Sequence, residues 1–360
     1  MSTTGSKSRR GNFFEDFRMG MCLTHPTPRT LSEGDRSLYI ALTGSRDAVS
    51  SARTVAAAAG LLRQPLDPWL VFNIAFGKTV PDISLNAVAN LGYADGRFLA
   101  PVYSGDTLRV DSEIIGLRET SNGRCGVVYT RSTATNQQGQ AVLTWVRWVL
   151  VHKRDPKAPS VEAVTPQLPA AVAANALVVP DYGPGVAQIA QATGVHDGWE
   201  DYEPGERIDH PSAMTINDSD HSMATRLYQN TAKVHFDARL MAATPAGKRL
   251  VYGGHIISVC RALAYDGLEN VLGVLALNGG SHVAPTYAGD TLCCTTTVVE
   301  RIDLSHPHVG ALRLRTVGAV NLDGPQHITI AQPGPAKAAD ASGVVLDLDY
   351  TVAIPKKPRG

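Results

Sequence analysis

The 360-residue chain contains 44% hydrophobic and 18% charged residues, a composition typical of a soluble globular protein with room for about two domains. Its 33 basic residues balance its 33 acidic residues, so no net charge attracts nucleic acid or an anionic membrane. Five scattered cysteines without C-x-x-C spacing indicate neither a disulfide framework nor a zinc site. No apolar run approaches the roughly 20 residues that span a bilayer. We therefore expect a cytoplasmic protein, and the cysteine pattern predicts no bound metal.

The sequence contains one domain twice. The segment that starts at Asp16 aligns without a gap with the segment that starts at Asp201, at an offset of 185 residues (201 − 16). A second block, APVYSGDTL from Ala100, aligns with APTYAGDTL from Ala284 at an offset of 184 (284 − 100). Two blocks in the same order at nearly the same offset indicate an internal duplication, and the two repeats are called copy one and copy two.

Each copy predicts the same first elements. A short strand leads to a T-x-x-[ED] box, at residues 30–33 in copy one and 215–218 in copy two, which predicts the start of a helix. After a loop, a more apolar helix is expected at about residues 68–76 and 254–265 respectively.

Strands then complete each copy. Period-two alternation predicts strands such as 127–135 and 141–151. Hairpin turns are expected at Asn122-Gly123 and Gln138-Gly139, and at Asp323-Gly324 in copy two. One apolar helix followed by an antiparallel meander predicts an α+β fold in which a sheet wraps a central helix.

Composition divides the chain further. Residues 153–198 are rich in Ala, Pro and Val, which indicates an extended linker and not a third domain. The expected organisation is a flexible tail (1–12), an N-terminal domain (13–152), the linker (153–198), a C-terminal domain (199–335) and a C-terminal tail (336–360).

The duplication acts as an internal control for function. Residues shared by the copies, such as His25 with His210 and Asp106 with Asp290, are expected to be structural. Position 50 is a serine in copy one, but its counterpart is His235 in copy two. A histidine has an ordinary pKa near 6.5 and can transfer protons at neutral pH.

Two further differences surround His235. Asn230 takes the place of Ser45, and Gly253-Gly254 takes the place of Pro68-Trp69 at the start of the apolar helix. Free N–H groups at a helix start can hold a carbonyl oxygen that gains negative charge, and glycine lets a ligand approach. A lone histidine is more often a structural or a surface residue, and His221, His255 and His282 are interpreted in that way because no comparable groups adjoin them.

Several sequence segments resemble those of the MaoC-like (R)-enoyl-CoA hydratases, and most closely those of the mesaconyl-CoA hydratase (β-methylmalyl-CoA dehydratase) group. They are GNFFEDF from Gly11, FGKTVPDISLNAVANLGYA from Phe76, ATRLYQNTAKVHF from Ala224 and YGGHIIS from Tyr252. The resemblance covers the chain from Gly11 to about Thr329. It implies a tandem double hot-dog fold in which copy one has a degenerate site and copy two is catalytic.

The resemblance also implies residue roles. His235 falls on the hydratase histidine, and Gly254, next to Gly253, falls on the glycine whose N–H holds the thioester oxygen. Asn230 stands where the broader family has an aspartate, and an amide cannot take a proton. Either Asn230 orients the water while His235 transfers the protons, or another carboxylate such as Asp237 assists.

The implied activity is that of a hydro-lyase that reversibly adds water to mesaconyl-CoA to give β-methylmalyl-CoA, without a cofactor beyond the CoA of the substrate. Lys78 and Lys233 are the candidate cations for the second carboxylate of that substrate. A hydratase for another enoyl-CoA and a non-catalytic acyl-CoA-binding protein remain alternatives. An exposed sheet edge would allow a homodimer.

Overall fold

The structure is a computed structural model that describes residues 11–330 and 343–358. Its helices are α1 (Glu33–Thr43), α2 (Ala48–Ser51), α3 (Arg53–Ala58), α4 (Pro68–Thr79), α5 (Ile189–Thr193), α6 (Asp218–Leu227), α7 (Ala238–Ala242) and α8 (Gly253–Leu263). Its strands are β1 (Cys22–Thr30), β2 (Ala87–Phe98), β3 (Thr107–Glu119), β4 (Cys125–Thr135), β5 (Ala141–His152), β6 (Arg207–Asp209), β7 (Met214–Thr215), β8 (Gly273–His282), β9 (Thr291–Ile302), β10 (Val309–Val320) and β11 (Val344–Pro355).

One antiparallel sheet runs through both copies. Its strand order is β1-β3-β4-β5-β2-β8-β11-β10-β9-β6, with β7 paired to β9, so the order in copy two mirrors that in copy one. At the centre, Ala94 of β2 pairs with Gly279 of β8, which is its own counterpart (279 − 94 = 185). A pseudo-twofold axis therefore passes through the β2–β8 pair, and the predicted tandem double hot-dog is confirmed.

The central helices α4 and α8 lie inside this sheet. Helix α4 is apolar on all sides and is buried from Trp69 to its last residue, as expected for a core helix. The two helices meet at Gly254, where Asn73 Nδ2 donates to the Gly254 carbonyl oxygen at 3.1 Å. A Cβ atom at Gly254 would lie 2.0 Å from Asn73 Oδ1, so this helix contact requires glycine.

The shared histidines are structural, as predicted. His25 Nε2 lies 2.8 Å from Ser112 Oγ, and His210 Nε2 lies 2.7 Å from Thr296 Oγ1. In both copies the other ring nitrogen also has a protein partner. Matching bonds from matching positions explain why the duplication kept both rings.

The predicted capping boxes are wrong by two residues. Helix α1 is capped by Ser32, whose Oγ accepts the Asp35 N–H at 3.3 Å while Asp35 Oδ2 accepts the Ser32 N–H at 2.8 Å. Thr30 instead ends β1, where its Oγ1 lies 2.7 Å from Thr107 Oγ1. Thr215 likewise belongs to a strand, β7, because the cross-strand partner takes up each hydroxyl.

The predicted C-terminal tail (336–360) is also wrong, because it contains β11. This strand lies between β8 and β10 and is the counterpart of β5, at an offset of 203 (344 − 141), whereas β10 follows β4 at an offset of 184 (309 − 125). The connection from β10 to β11 has 23 residues (321–343) and that from β4 to β5 has five (136–140). It is therefore longer by 18 residues, and Asp323-Gly324 does not form a tight hairpin. Residues 331–342 of this connection lie outside the described residues.

The remaining segments connect and cover the sheet. Residues 1–10 of the predicted tail lie outside the described residues, whereas Asn12 donates through Nδ2 to the Asp82 carbonyl oxygen at 2.9 Å. The predicted linker contains only α5 and short 3-10 turns, and Tyr182 anchors it by donating to the Leu272 carbonyl oxygen at 3.2 Å. Over residues 11–330 and 343–358, no helix is long and apolar enough to cross a bilayer.

Candidate active site

A cavity of about 1160 Å³ opens between the two copies. Copy two contributes the loop after α6, the start of α8 and the end of β8, and copy one contributes α4, β2 and β5. The polar or aromatic side chains that line it are Asn230, His235, Tyr252, His282 and Thr286 from copy two, and Phe76, Ser84, Asn90, Tyr93 and Arg147 from copy one. The site is therefore composite, with groups from both repeats.

His235 is held in one orientation by the backbone. Its Nδ1 lies 3.0 Å from the Leu250 carbonyl oxygen, which can only accept, so Nδ1 carries the proton of the neutral ring. Nε2 has no hydrogen-bond partner among the described residues and is left unprotonated for the cavity. Burial lowers the pKa of His235 to about 4, which keeps the ring neutral, and hence a base, at neutral pH.

Asn230 lies in the same loop with its side chain fixed. Its Oδ1 accepts the Ala232 N–H at 2.9 Å, which commits the carbonyl to the loop and leaves the amide nitrogen without a partner among the described residues. Asn230 is buried and lines the cavity. It can therefore donate a hydrogen bond to a ligand but cannot accept its proton.

The start of α8 is an open helix end. The N–H groups of Gly253 and Gly254 have no partner among the described residues, and the N-cap residue Tyr252 makes no side-chain cap. Gly253 lines the cavity, whereas Gly254 lies against Asn73. In the first turn these N–H groups point out of the helix, where they can bind a negatively charged oxygen.

The equivalent end of α4 in copy one is closed. Pro68 has no N–H, and the Trp69 N–H donates to Asp67 Oδ1 at 2.8 Å. Ser50, at the position of His235, donates to Asp47 Oδ1 at 2.8 Å and lines a separate, mostly apolar cavity of about 710 Å³. Copy one therefore lacks both the ring and the open helix end.

His282, which the sequence predicts to be a structural or surface residue, lines the cavity. Its Nε2 lies 3.1 Å from the Tyr93 hydroxyl, and its ring packs on Gly253, where a Cβ atom would lie 2.4 Å from Cε1. Burial and the nearby His235 lower its pKa to about 4. The available signal was its place two residues before the repeated Ala284-Pro285 turn, but only the fold shows that this strand end faces the site.

Arg147 is the second residue that sequence reasoning missed. It lies on β5 in an otherwise apolar stretch and is 0% exposed. Its Nη2 donates to Thr79 Oγ1 at 2.8 Å, and its guanidinium lies 4.2 Å from the centre of the Phe76 ring. Burial lowers its pKa to about 10. The signal was an arginine at an inward position of a buried strand.

Three predicted site residues are not brought into the cavity. Lys78 Nζ donates to Gln229 Oε1 at 2.5 Å, and Lys233 is exposed. Asp237 caps α7, since its Oδ1 accepts the Leu240 N–H at 2.9 Å. None of them is among the lining residues. Within the described part of the chain, no group of three His, Cys, Asp or Glu side chains could hold a metal ion.

The fold and the cavity define a MaoC-like double hot-dog protein whose histidine site lies in copy two. A solved MaoC domain dehydratase of Chloroflexus aurantiacus has a TM-score of 0.92 and 47% identity, covering 98% of this chain and all of that one. A double hot-dog protein of Mycobacterium tuberculosis has a TM-score of 0.75 and 26% identity, covering 96% and 99% of the two chains.

Sequence comparison narrows the class. The family model for mesaconyl-CoA hydratase matches residues 3–327. The β-methylmalyl-CoA dehydratase of Chloroflexus aurantiacus is 48% identical over 98% of this chain and 99% of its own length. The mesaconyl-CoA hydratase of Cereibacter sphaeroides is 48% identical over 97% of this chain and all of its own. This chain belongs to the mesaconyl-CoA hydratase family.

Proposed function

We propose that this protein reversibly adds water to the double bond of mesaconyl-CoA to give β-methylmalyl-CoA. The observation that carries the proposal is the placement of His235, with a free Nε2, in one cavity with the open start of α8. Relatives named for this reaction match nearly the whole chain. The substrate is thus an acyl-CoA thioester, and CoA takes part only as a portion of it.

The helix start stabilises charge on the thioester. As water adds to the carbon beyond the α-carbon, electrons move onto the thioester oxygen to form an enolate. The N–H groups of Gly253 and Gly254 bind that oxygen more strongly as its charge grows. One such donor typically lowers a barrier by about 3–4 kcal/mol.

His235 moves the protons. Nε2 takes a proton from the attacking water as the new C–O bond forms, and the resulting imidazolium delivers a proton to the α-carbon, which completes the addition. General acid–base catalysis of this kind contributes roughly 10²–10⁴-fold. Asn230 assists by donating its amide hydrogen to the water oxygen, which turns a water hydrogen toward Nε2.

His282 adds a second ring beside the helix start. The pKa of Tyr93 is raised by burial, so its hydroxyl stays protonated and can donate to His282 Nε2. The neutral His282 ring then carries its proton on Nδ1, while its Nε2 edge lies against Gly253. We assign it to ligand positioning, since the water-activating base is already present in His235.

The experiment is a direct assay of the purified chain. Mesaconyl-CoA is supplied, the absorbance of the conjugated thioester is followed, and the product is identified by the mass of one added water. Loss of absorbance with mesaconyl-CoA, and slower loss with crotonyl-CoA, supports the proposal. Faster turnover of crotonyl-CoA would contradict the substrate assignment.

A non-catalytic acyl-CoA-binding protein is the second candidate, and Asn230 favours it because the family's usual carboxylate is missing there. If neither thioester reacts but mesaconyl-CoA binds in calorimetry, this second candidate replaces the first.

A further inference from the structure

Arg147 is a buried cation without a protein anion. Its hydrogen-bond partners are the neutral hydroxyls of Thr79 and Ser84, and its Nε has no partner. No carboxylate lies within salt-bridge distance of it among the described residues, although it lines the cavity. A buried, uncompensated charge is costly, so its retention in the wall of the site points to an anion that arrives with the ligand.

The pseudo-symmetry supplies a comparison for this arginine. Arg147 on β5 packs on Phe76 of α4, and the counterparts of these residues are Tyr350 (350 − 147 = 203) and Arg261 (261 − 76 = 185). Arginine and aromatic residue have thus exchanged places between strand and helix. Both pairs keep a guanidinium on a ring, at 4.2 Å in one and 4.9 Å in the other.

The two arginines differ in the anions near them. Arg261 shares a small cavity with two carboxylates, the buried Asp67 and the partly exposed Asp47, and Tyr350 with these carboxylates raises its pKa. The counterparts of the carboxylates around the other arginine are Ala232 (232 − 47 = 185) and Tyr252 (252 − 67 = 185). Copy one therefore contains built-in anions where the cavity with His235 has none.

We infer that Arg147 binds the carboxylate at the far end of the substrate's acyl group. The guanidinium offers the planar pair of donors that a carboxylate accepts. The Tyr252 hydroxyl, which is buried without a partner, adds a third donor. The inference rests on the proposed function and names the residue that makes the site specific for a dicarboxylic acyl group.

Ring contacts place this carboxylate site close to the reacting groups. The Tyr252 ring lies 5.5 Å from the His235 ring and 5.7 Å from the Phe76 ring, and Phe76 in turn carries the Arg147 guanidinium. The Tyr252 side chain thus lies between His235 and Phe76, the ring on which the Arg147 guanidinium packs. An enoyl group that ends in a methyl would leave Arg147 unpaired, which disfavours that substrate.

The test uses a pair of ligands that differ only in the carboxylate. Saturated methylsuccinyl-CoA carries it, and 2-methylbutyryl-CoA has a methyl in its place. Binding to the full chain is measured by calorimetry, so the result does not depend on turnover. Arg147→Gln should weaken methylsuccinyl-CoA about 10²-fold and change 2-methylbutyryl-CoA less than about threefold, whereas Arg147→Lys should recover part of the loss.

Lys78→Gln is the comparison variant, since it removes another buried cation of the region. It should keep the wild-type ratio of the two affinities. Equal losses for both ligands in Arg147→Gln, or a carboxylate-selective loss in Lys78→Gln, would overturn the inference. If Arg147→Gln does not fold, as judged by its melting temperature, Arg147→Lys takes its place. The same ratio of the affinities for methylsuccinyl-CoA and 2-methylbutyryl-CoA then decides the test. An enzyme that does not hydrate mesaconyl-CoA but shows this selective loss would contradict the proposed function alone.

Discussion

Asp67 and Tyr252 occupy the same position in the two copies, directly before a central helix, and only Asp67 closes the helix end. Its carboxylate accepts the Trp69 N–H at 2.8 Å, whereas Tyr252 leaves the N–H groups of Gly253 and Gly254 open beside the cavity. The difference between a filled and an open helix end, together with the exchange of Ser50 for His235, distinguishes the proposed site in copy two from its counterpart in copy one.

Tyr252→Asp should therefore close the working site. An aspartate there is expected to accept the Gly254 N–H, as Asp67 accepts the Trp69 N–H in copy one, and so compete with the thioester oxygen. We expect kcat to fall by at least about 10², and the melting temperature to fall as well because the buried Tyr252 ring is lost. Tyr252→Phe is the matched control, because it leaves the helix end open and should lose at most about tenfold. Equal losses in the two variants would argue against a role for the open end.

Alanine substitutions at Gly253 and Gly254 should have different effects, one on turnover and the other on stability. Gly253→Ala places a Cβ atom against His282 at the cavity wall, so we expect turnover to fall with little loss of stability. Gly254→Ala drives a Cβ atom into Asn73 of α4, so we expect a drop of about 1–3 kcal/mol in the free energy of unfolding, as for overpacked cores. Kinetics and urea unfolding on both variants test this, and the opposite assignment of effects would show that Gly254, not Gly253, faces the ligand.

Acid should destabilise the fold through its neutral histidines. Burial lowers the pKa values of His210, His235, His255 and His282 from 6.5 to about 4. Between these values the unfolded chain binds more protons than the folded chain, so the free energy of unfolding falls as the pH drops from about 6.5 to 4. Urea unfolding at several pH values measures the slope. His235→Asn should make it shallower, and an unchanged slope in that variant would contradict a lowered pKa at His235.

Asn230→Asp should restore a carboxylate beside the base. A buried negative charge in the His235 loop stabilises the imidazolium and raises the pKa of His235. The acid limb of the kcat/KM profile is then expected to move to higher pH. The profile of the wild type provides the reference, and an identical limb in both proteins would place Asn230 too far from His235 to influence it.

The sequence was informative wherever the two copies could be compared position by position. The offset of 185 found Ser50 opposite His235 and Pro68 opposite Gly253, and the structure brings the copy-two residues of both pairs into one cavity. The comparison of the two copies failed to predict β11, because an 18-residue insertion displaces this strand along the sequence from the position that the repeat predicts. The fold was thus predictable except where the repeat lost its spacing.

The contribution of copy one to the site was not predictable in the same way. The charge of Lys78 within an apolar stretch predicts a site residue, yet its side chain binds Gln229 outside the cavity. Arg147 lines the cavity only because the β2–β8 pair joins the two halves of the sheet and brings β5 of one copy near α8 of the other. That strand pairing is a long-range contact, and no local sequence pattern around Arg147 predicts it.

The central claim is that one working hydratase site lies in copy two and depends on His235. The direct test is the rate of mesaconyl-CoA hydration in the wild type, in His235→Ala and in the counterpart variant Ser50→Ala. We expect His235→Ala to lower kcat by at least about 10² with the fold intact, and Ser50→Ala to remain within about threefold of the wild type. Similar losses in both variants, or full activity in His235→Ala, would contradict the account.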